Sequence, residues 1–356
     1  MKEYEKIKKL MARGCEILGS DYALIGGAMT WISESNLVSA MSNAGMFGVL
    51  ASGAMNGDQL KEEITLTKSK TNRNFGVNII LMNPRLHDLL DVCGEKKVSH
   101  LVLAGGIPDR DLLKKISAYG MKAFSFAPSL SVAKRLFKYG IDALILEGNE
   151  AGGHIGPVST LVLIQEIMLN MREYPIFIAG GILRGEIFSC LLQLGAVGCQ
   201  LGTVFACAQE SLAHKTFKKA LLRASARDAV ASIQIDKKFP VTPVRTLENH
   251  GTNEFLKKQM EIFQKFEANE ISLEEGRLSL EHFWSGALKR AVLDGDVARG
   301  SVMSGQIVGI VNEEKTIADI LDVIFAEAEK FLAGLDDSTA NGDKYAATDS
   351  GLIAVS

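Results

Sequence analysis

The sequence has no long apolar run. Nowhere do about 18 apolar residues follow one another, the length a membrane-spanning helix needs. The first residues, Met1-Lys2-Glu3-Tyr4-Glu5-Lys6, are charged and lack the apolar core of a secretion signal, so a cytoplasmic chain is expected. Cysteine is scarce: Cys15, Cys93, Cys190, Cys199 and Cys207 form no C-x-x-C pair and are odd in number. That argues against a disulfide framework and for reduced, structural thiols. The six histidines are scattered, with no pair at ligand spacing on one helix, so no metal site is indicated. No excess of basic charge exists either. Lys and Arg number 39 against 42 Asp and Glu, a net charge of −3, which gives no electrostatic case for nucleic acid. A G-x-G-x-x-G fingerprint is missing after the first strand, where Gly26-Gly27 stands instead, and this weakens a dinucleotide-fold reading.

What is present is 356 residues that are 47% hydrophobic and 23% charged, enough to bury a large core. Short apolar runs near 22–25, 46–51, 75–81, 100–104, 121–127, 143–146, 176–179 and 197–201 read as strands. Each is continuous rather than alternating, as in a parallel sheet buried on both faces. Helix-like segments near 36–44, 57–70, 84–96, 109–119, 132–139, 159–170, 185–194 and 209–226 alternate with them. Eight strand–helix units predict a TIM (β/α)8 barrel. A doubly wound open sheet is the alternative, and the regular eightfold count disfavours it.

The barrel spans 1–235 and resumes over 300–335. Between them, 236–243 carries Lys237, Lys238, Pro240 and Pro243 and reads as a connector. Residues 252–293 have helical spacing and are rich in Glu, Lys, Phe and Leu, so 236–299 is expected to be a helical subdomain or excursion. The small, apolar run Ser301–Ile310 is expected to return to the barrel mouth, and 316–335 to form a last amphipathic helix. The stretch 336–356, rich in Ser, Thr, Asp, Gly and Ala, is expected to be a disordered tail.

The most informative stretch is Glu147-Gly148-Asn149-Glu150-Ala151-Gly152-Gly153-His154. An apolar strand runs straight into two acids, three glycines and a histidine. Glycines let backbone approach a ligand closely, and histidine exchanges a proton near neutral pH. Two later strands end in Ala179-Gly180-Gly181 and in Gln200-Leu201-Gly202-Thr203. If these are strands 7 and 8, their loops are a frequent phosphate site in such barrels. A plain glycine-rich turn with a surface histidine is the simpler reading of the first stretch alone. His214 reads as a surface or capping residue, His100 as a packed strand opener, and Trp31 and Trp284 as core or interface residues or as covers of a bound ligand. Glu147 can also be read as an ion-paired strand end.

Taken in order, Ser42-Asn43-Ala44-Gly45, Phe75-Gly76-Val77-Asn78, Glu150–His154, Ala179-Gly180-Gly181-Ile182, Gln200–Thr203, Glu210-Ser211-Leu212-Ala213-His214 and Ser304-Gly305-Gln306 resemble the nitronate monooxygenase family, formerly 2-nitropropane dioxygenase. That family shares its fold with FMN-dependent type II enoyl-acyl-carrier-protein reductases. The resemblance covers roughly Tyr22 to Leu335. It implies one FMN held non-covalently at the strand C-termini, with Met29, Asn78 and Glu147 near the flavin and Gly152, Gly180, Gly181, Gln200, Leu201, Gly202 and Thr203 contacting the cofactor. The glycines and Thr203 belong to the phosphate end. His154 matches the histidine that is catalytic or substrate-binding in relatives. Two departures stand out. Relatives carry Gln-Gly-Pro-Met or Gln-Ala-Pro-Met after the first strand, where this chain has Ile25-Gly26-Gly27-Ala28-Met29. Ile155 follows the histidine where many nitronate oxidisers have Arg.

The resemblance implies oxidation of alkyl nitronates with O2 to a carbonyl compound and nitrite. There His154 would bind the nitro group or take the α-proton of a nitroalkane. The alternatives are an NAD(P)H-dependent reductase of enoyl thioesters, with acyl carrier protein as partner, and an NAD(P)H:quinone reductase. In the thioester reading His154 would face the carbonyl, where negative charge develops. A non-catalytic FMN-binding barrel is the remaining reading. A small-molecule substrate is expected in each enzymatic case, with a homodimer as a further expectation and no nucleic-acid or membrane partner.

Overall fold

The structure, a computed structural model, describes residues 4–340. Its frame is eight parallel strands: β1 (Leu24–Gly26), β2 (Phe47–Ala51), β3 (Gly76–Ile80), β4 (His100–Ala104), β5 (Lys122–Phe126), β6 (Ala143–Glu147), β8 (Ile176–Ala179) and β9 (Gly198–Leu201). They pair in chain order and close through β1 and β9, where Ile25 lies opposite Gln200. The result is a TIM barrel. The apolar runs predict it because every strand must bury both faces, one against the barrel interior and one against the helices. Three further strands, β7 (Gly153–His154), β10 (Ala229–Ala231) and β11 (Val244–Leu247), form a separate antiparallel sheet in the order β10–β11–β7.

Register and pleat decide which side chains point inward. A chain of rings identifies the interior face: Phe47 meets His100 at 4.8 Å between centroids, His100 meets Phe124 at 5.4 Å, and Phe124 meets Phe177 at 5.6 Å. Stepping two residues along each strand toward its C-terminal end, the same face carries Asn78, Val102, Phe126, Glu147, Ala179 and Gln200. Large rings thus fill the lower barrel, and polar groups appear at the upper end.

The barrel floor is closed by a helix, Glu5–Leu18, that the sequence reading did not anticipate. Its buried residues Ile7, Met11, Gly14 and Leu18 fall on one stripe. Gly14 is required there, because a Cβ would sit 2.6 Å from the Cβ of Ala23 and press into the Val197 carbonyl. In its last turn the Ile17 carbonyl accepts from His100 Nε2 at 2.8 Å and from Lys122 Nζ at 2.7 Å. A helix C-terminus offers unsatisfied carbonyls to such donors. His100 is therefore a packed strand opener with a specific bond.

The expected helix over 209–226 is shorter, Lys215–Arg223, and His214 precedes it. His214 Nδ1 accepts from the Thr216 N–H at 3.1 Å, so this histidine is an N-cap. The last helix, Ile317–Ala340, runs past Leu335 and packs on the helix Gly185–Leu194, where Gly185 allows close approach to the Ile324 carbonyl. The remainder of the expected tail, 341–356, lies outside the described residues.

Two long helices, His250–Glu267 and Leu273–Val292, pack together beside the accessory sheet. Each opens with a capping box, Asn249 with Thr252 and Ser272 with Glu275. They bury a core of their own, Phe239, Val244, Phe255, Ile262, Leu280 and Trp284, in which Trp284 stacks on Phe255 at 4.1 Å. Met303 packs against this core and against the barrel's. Trp284 is thus a core residue.

Burial lowers the His100 pKa to about 4, although its bond to the Ile17 carbonyl favours the charged form and nearby Lys122 opposes it. An unfolded histidine takes its proton near pH 6.5. The unfolded state therefore binds more protons between about pH 6.5 and about pH 4, and stability falls as pH drops through that window. We expect the melting temperature of the wild type to fall more between about pH 7 and about pH 5 than that of His100→Gln, which keeps a donor for Ile17 but cannot titrate. Equal losses in the two proteins would remove His100 from the account.

Candidate active site

Asn78, Glu147 and Gln200 stand at the C-terminal ends of β3, β6 and β9 and face the barrel axis, yet each is only partly buried. Ile80, Ala104 and Phe126 share this exposure at inward positions. Inward residues that still meet solvent mark an open recess, here at the end where barrel enzymes place their chemistry. The Asn78 amide is fixed, its Nδ2 donating to the Val102 carbonyl at 2.9 Å, while Ser52 Oγ donates to the Asn78 carbonyl. Glu147 has no hydrogen-bond or ion-pair partner among the described residues. Burial alone pushes its pKa up to about 8, so the carboxyl is neutral at pH 7.

Two glycine loops border the recess. After β8, Gly180 and Gly181 adopt φ of +92° and +68°, a backbone that L side chains resist. A Cβ on Gly181 would lie 2.9 Å from Cγ of Glu150. The N–H groups of Gly181, Ile182, Gly202 and Thr203 donate to no acceptor among the described residues. At Gly202 the nearest atom to an added Cβ is Met29 Sδ at 3.7 Å, so space lies above it. Gly27 N–H donates to the Leu201 carbonyl at 2.9 Å and lets the strand-1 loop pass Gln200, whose Cγ would be 3.3 Å from a Cβ there. This places Met29, Gln200, Gly202 and Thr203 together. Leu201 is different: its side chain is buried in the main core and only its backbone reaches the loop.

The segment Ser301–Ile310 does return to the mouth. Gly305 N–H donates to Thr203 Oγ1 at 3.1 Å and Gln306 N–H to the Glu150 carbonyl at 2.9 Å. Gly152 faces the backbone of Ser304 and Gly305, where any side chain would collide.

His154 lies beyond the β6 end, on β7, where it pairs with Val244. Val244 belongs to the core of the two long helices, so His154 is turned toward them. Its Nε2 is 3.0 Å from Glu281 Oε1, and its side chain is 41% exposed. Trp31, at φ +67°, reaches the same helix: its Nε1 donates to the Ser285 carbonyl at 3.1 Å, and Lys289 Nζ sits 5.4 Å from its ring centroid. Glu281, Ser285 and Lys289 are four apart and form one stripe. The helix Leu273–Val292 therefore touches the barrel rim after β6 and after β1.

Sequence reasoning passed over Arg245. It is 8% exposed and forms no salt bridge among the described residues; burial lowers its pKa and the nearby Glu150 carboxylate partly opposes this. Its Nε and Nη2 donate to the Asn149 carbonyl at 3.1 and 2.8 Å, and Nη1 donates to the Ala229 carbonyl. The guanidinium thereby ties the Glu147–Glu150 loop to the accessory sheet. Its only sequence signal is a lone arginine in an otherwise uncharged run, Val241–Leu247.

Comparison with known proteins settles the family. The nitronate monooxygenase family model matches residues 12–99 and 87–327. The chain belongs to the nitronate monooxygenase family. It is 30% identical over 344 residues to (3aS,4S,5R,7aS)-5-hydroxy-7a-methyl-1-oxo-octahydro-1H-indene-4-carboxyl-CoA dehydrogenase of Rhodococcus jostii, covering 90% of this chain and 96% of that protein. A probable nitronate monooxygenase of Staphylococcus saprophyticus is 27% identical over 342 residues, covering 80% of this chain and 94% of the other. Among solved structures, FabK from Thermotoga maritima superposes with a TM-score of 0.79 at 32% identity, over 92% of this chain and 98% of that one. The protein is an oxidoreductase. Among the described residues, no helix is long and apolar enough to cross a membrane, and no group of His, Cys, Asp and Glu is arranged to hold a metal ion.

Because its neutral form is favoured in the fold, Glu147 adds stability below its unfolded pKa near 4.5, and that stability is lost as pH rises toward about 8. In cofactor-free protein, Glu147→Gln should raise the melting temperature above about pH 8 and change it little near about pH 5. A variant that melts with the wild type at every pH would mean that the carboxyl is better solvated than its place in the recess indicates.

Proposed function

We propose that this chain is an FMN-dependent oxidoreductase acting on an acyl thioester, with NAD(P)H as the hydride donor in the reductive direction or NAD(P)+ as the acceptor in the oxidative one. The observation that carries the cofactor reading is the pair of glycine loops, whose unpartnered N–H groups adjoin a recess lined by Asn78, Glu147 and Gln200. Backbone N–H groups at glycine turns and helix starts are suited to a phosphate. One such site, without a dinucleotide fingerprint, favours a mononucleotide. In this reading Gly180, Gly181, Gly202 and Thr203 hold the phosphate. Asn78, Glu147, Gln200 and Met29 border the ring, and Gly152 acts indirectly by seating Ser304–Gly305 beside Thr203. When bound, FMN supplies the electron and hydride chemistry that no side chain can.

The protein's own residues then bind, orient and move protons. If His154 Nε2–H donates to Glu281, its Nδ1 carries the lone pair and is free toward solvent and substrate. That atom can take a proton from the carbon next to an activating carbonyl. In its protonated form it can hydrogen-bond the carbonyl oxygen as negative charge builds there. Arg245 keeps the loop between Glu147 and His154 in register for this. The thioester class is supported by the likeness, at 30% identity over nearly the whole chain, to an enzyme named for a carboxyl-CoA substrate, and by Ile155 in the place where many nitronate oxidisers have Arg.

Oxidation of alkyl nitronates is the second reading, supported by the family model and the staphylococcal relative. In both reactions negative charge rests on an oxygen conjugated with the reacting carbon, and one histidine serves either. Anaerobic mixing separates them. Rapid bleaching of the flavin by NADH or NADPH, followed by reoxidation with an enoyl thioester, supports the first. Indifference to both nucleotides with bleaching by a nitronate supports the second.

Three variants test the residues. Gly181→Val or Gly202→Val should release FMN while the far-ultraviolet circular dichroism stays that of the wild type; stoichiometric flavin in both would remove these loops from the phosphate. His154→Ala should keep FMN and lower turnover by about 10²–10⁴, the usual range for a lost general acid or base. Wild-type turnover would leave His154 a structural residue.

A further inference from the structure

We propose that Glu147 is a redox-linked proton site, a carboxyl that is protonated when the flavin in the barrel mouth is reduced and that releases its proton more readily when the flavin is oxidised. This rests on the FMN reading above. The geometry comes first. Glu147 is the last residue of β6, lies opposite Ala179 in the register, and faces the axis in the same upper layer as Asn78 and Gln200. It sits beside the Gly180-Gly181 turn, since Gly148 N–H donates to the Ala179 carbonyl at 3.2 Å. It makes no hydrogen bond or ion pair, which is unusual for a carboxyl in so recessed a position. Asn78, in the same layer three strands away, is committed to Val102 through Nδ2.

No charge is available to hold Glu147 ionised. On the inward face of the strands the other titratable groups are His100 and Lys122, and both are tied to the Ile17 carbonyl at the opposite end of the barrel. From the loop that follows, the Glu150 carboxylate accepts from the Thr160 N–H at 3.2 Å, and it is of like sign. Arg245 spends its donors on the Asn149 and Ala229 carbonyls. On the excursion side His154 and Glu281 face each other. Desolvation therefore acts unopposed and raises the pKa to about 8.

A neutral acid in this position matters when charge arrives. Two electrons and one proton convert oxidised FMN into its reduced, singly negative form. Where Glu147 is already protonated, nothing more is taken up. Above its pKa in the oxidised protein, reduction draws one extra proton onto the carboxylate, because two negative charges in one recess repel. The electrons come from the hydride donor of the proposed reaction or, in the test, from dithionite. The consequence is a flavin whose reduction becomes harder with rising pH more steeply than the flavin alone requires.

The experiment measures the two-electron midpoint potential of FMN-loaded wild type and FMN-loaded Glu147→Gln from neutral to alkaline pH. Each proton taken up with two electrons contributes a tenfold change in the equilibrium per pH unit, about 30 mV. We expect parallel lines below about pH 8 and a wild-type line steeper by about 30 mV per pH unit above it. As a measurement that needs no variant, wild-type protein reduced in weak buffer with a pH indicator should take up more protons per flavin on the alkaline side than at neutral pH, by up to one. Parallel lines at every pH, or an uptake that does not rise, overturn the proposal while the cofactor reading stands. Protein that binds no flavin even after reconstitution overturns both.

Discussion

Closure of the parallel barrel is the constraint on which the other features depend. Eight strands pair side by side and the last pairs with the first, so the wall has no free edge. Each strand is short and buried on both faces, which leaves polar side chains few places to stand except the two ends. The two ends are used differently. At the floor, His100 and Lys122 donate to the Ile17 carbonyl, and the helix Glu5–Leu18 closes over them. At the mouth, Asn78, Glu147 and Gln200 face a recess that none of the described residues fills. A closed bottom and an open top follow from one helix packed at one end.

The second set of constraints comes from the helical excursion. It has its own core, with Trp284 and Phe255 stacked at its centre, and its second helix also gives Leu288, Ala291 and Val292 to the barrel's core. His154 with Glu281 and Trp31 with the Ser285 carbonyl reach one stripe of one helix from two sides of the mouth. Trp31 holds a left-handed backbone to do so, which for a bulky residue costs of order 1–3 kcal/mol. The candidate catalytic histidine therefore belongs as much to the excursion as to the barrel. Its partner Glu281 lies more than a hundred residues away in the chain, and only the packed fold brings the two within hydrogen-bond reach.

Family membership narrows the chemistry without choosing the substrate. In the proposed reading the groups that hold the cofactor are backbone N–H groups at the glycine turns, which carry no information about the substrate. The side chains around the mouth carry that information, among them the unpaired acid at position 147. That acid is the most consequential, since a carboxyl without partners changes charge in response to whatever binds beside it.

Much of this was legible in the sequence for a physical reason. Continuous apolar runs of four to five residues, each ending in small or polar residues, can only be parallel strands buried on both faces, and eight of them predict the closed barrel. The glycine pair after β8 was legible because its positive φ demands glycine. The floor helix was not, because its four buried residues are spread among charged ones and a sequence does not say what they will cover. Nor was the true setting of His154, whose glycine-rich context suggested a strand end at the barrel mouth; it is instead held on an accessory strand by pairing with Val244. Arg245 was invisible because its partners are backbone carbonyls, which every residue carries. The sequence by itself determined the strands and the closed barrel they build, since these follow from local pattern and sterics. Tertiary structure alone decided that Glu147 is unpaired, that Glu281 meets His154, and that Ile17 closes the floor, since each depends on distances between residues that the chain keeps far apart.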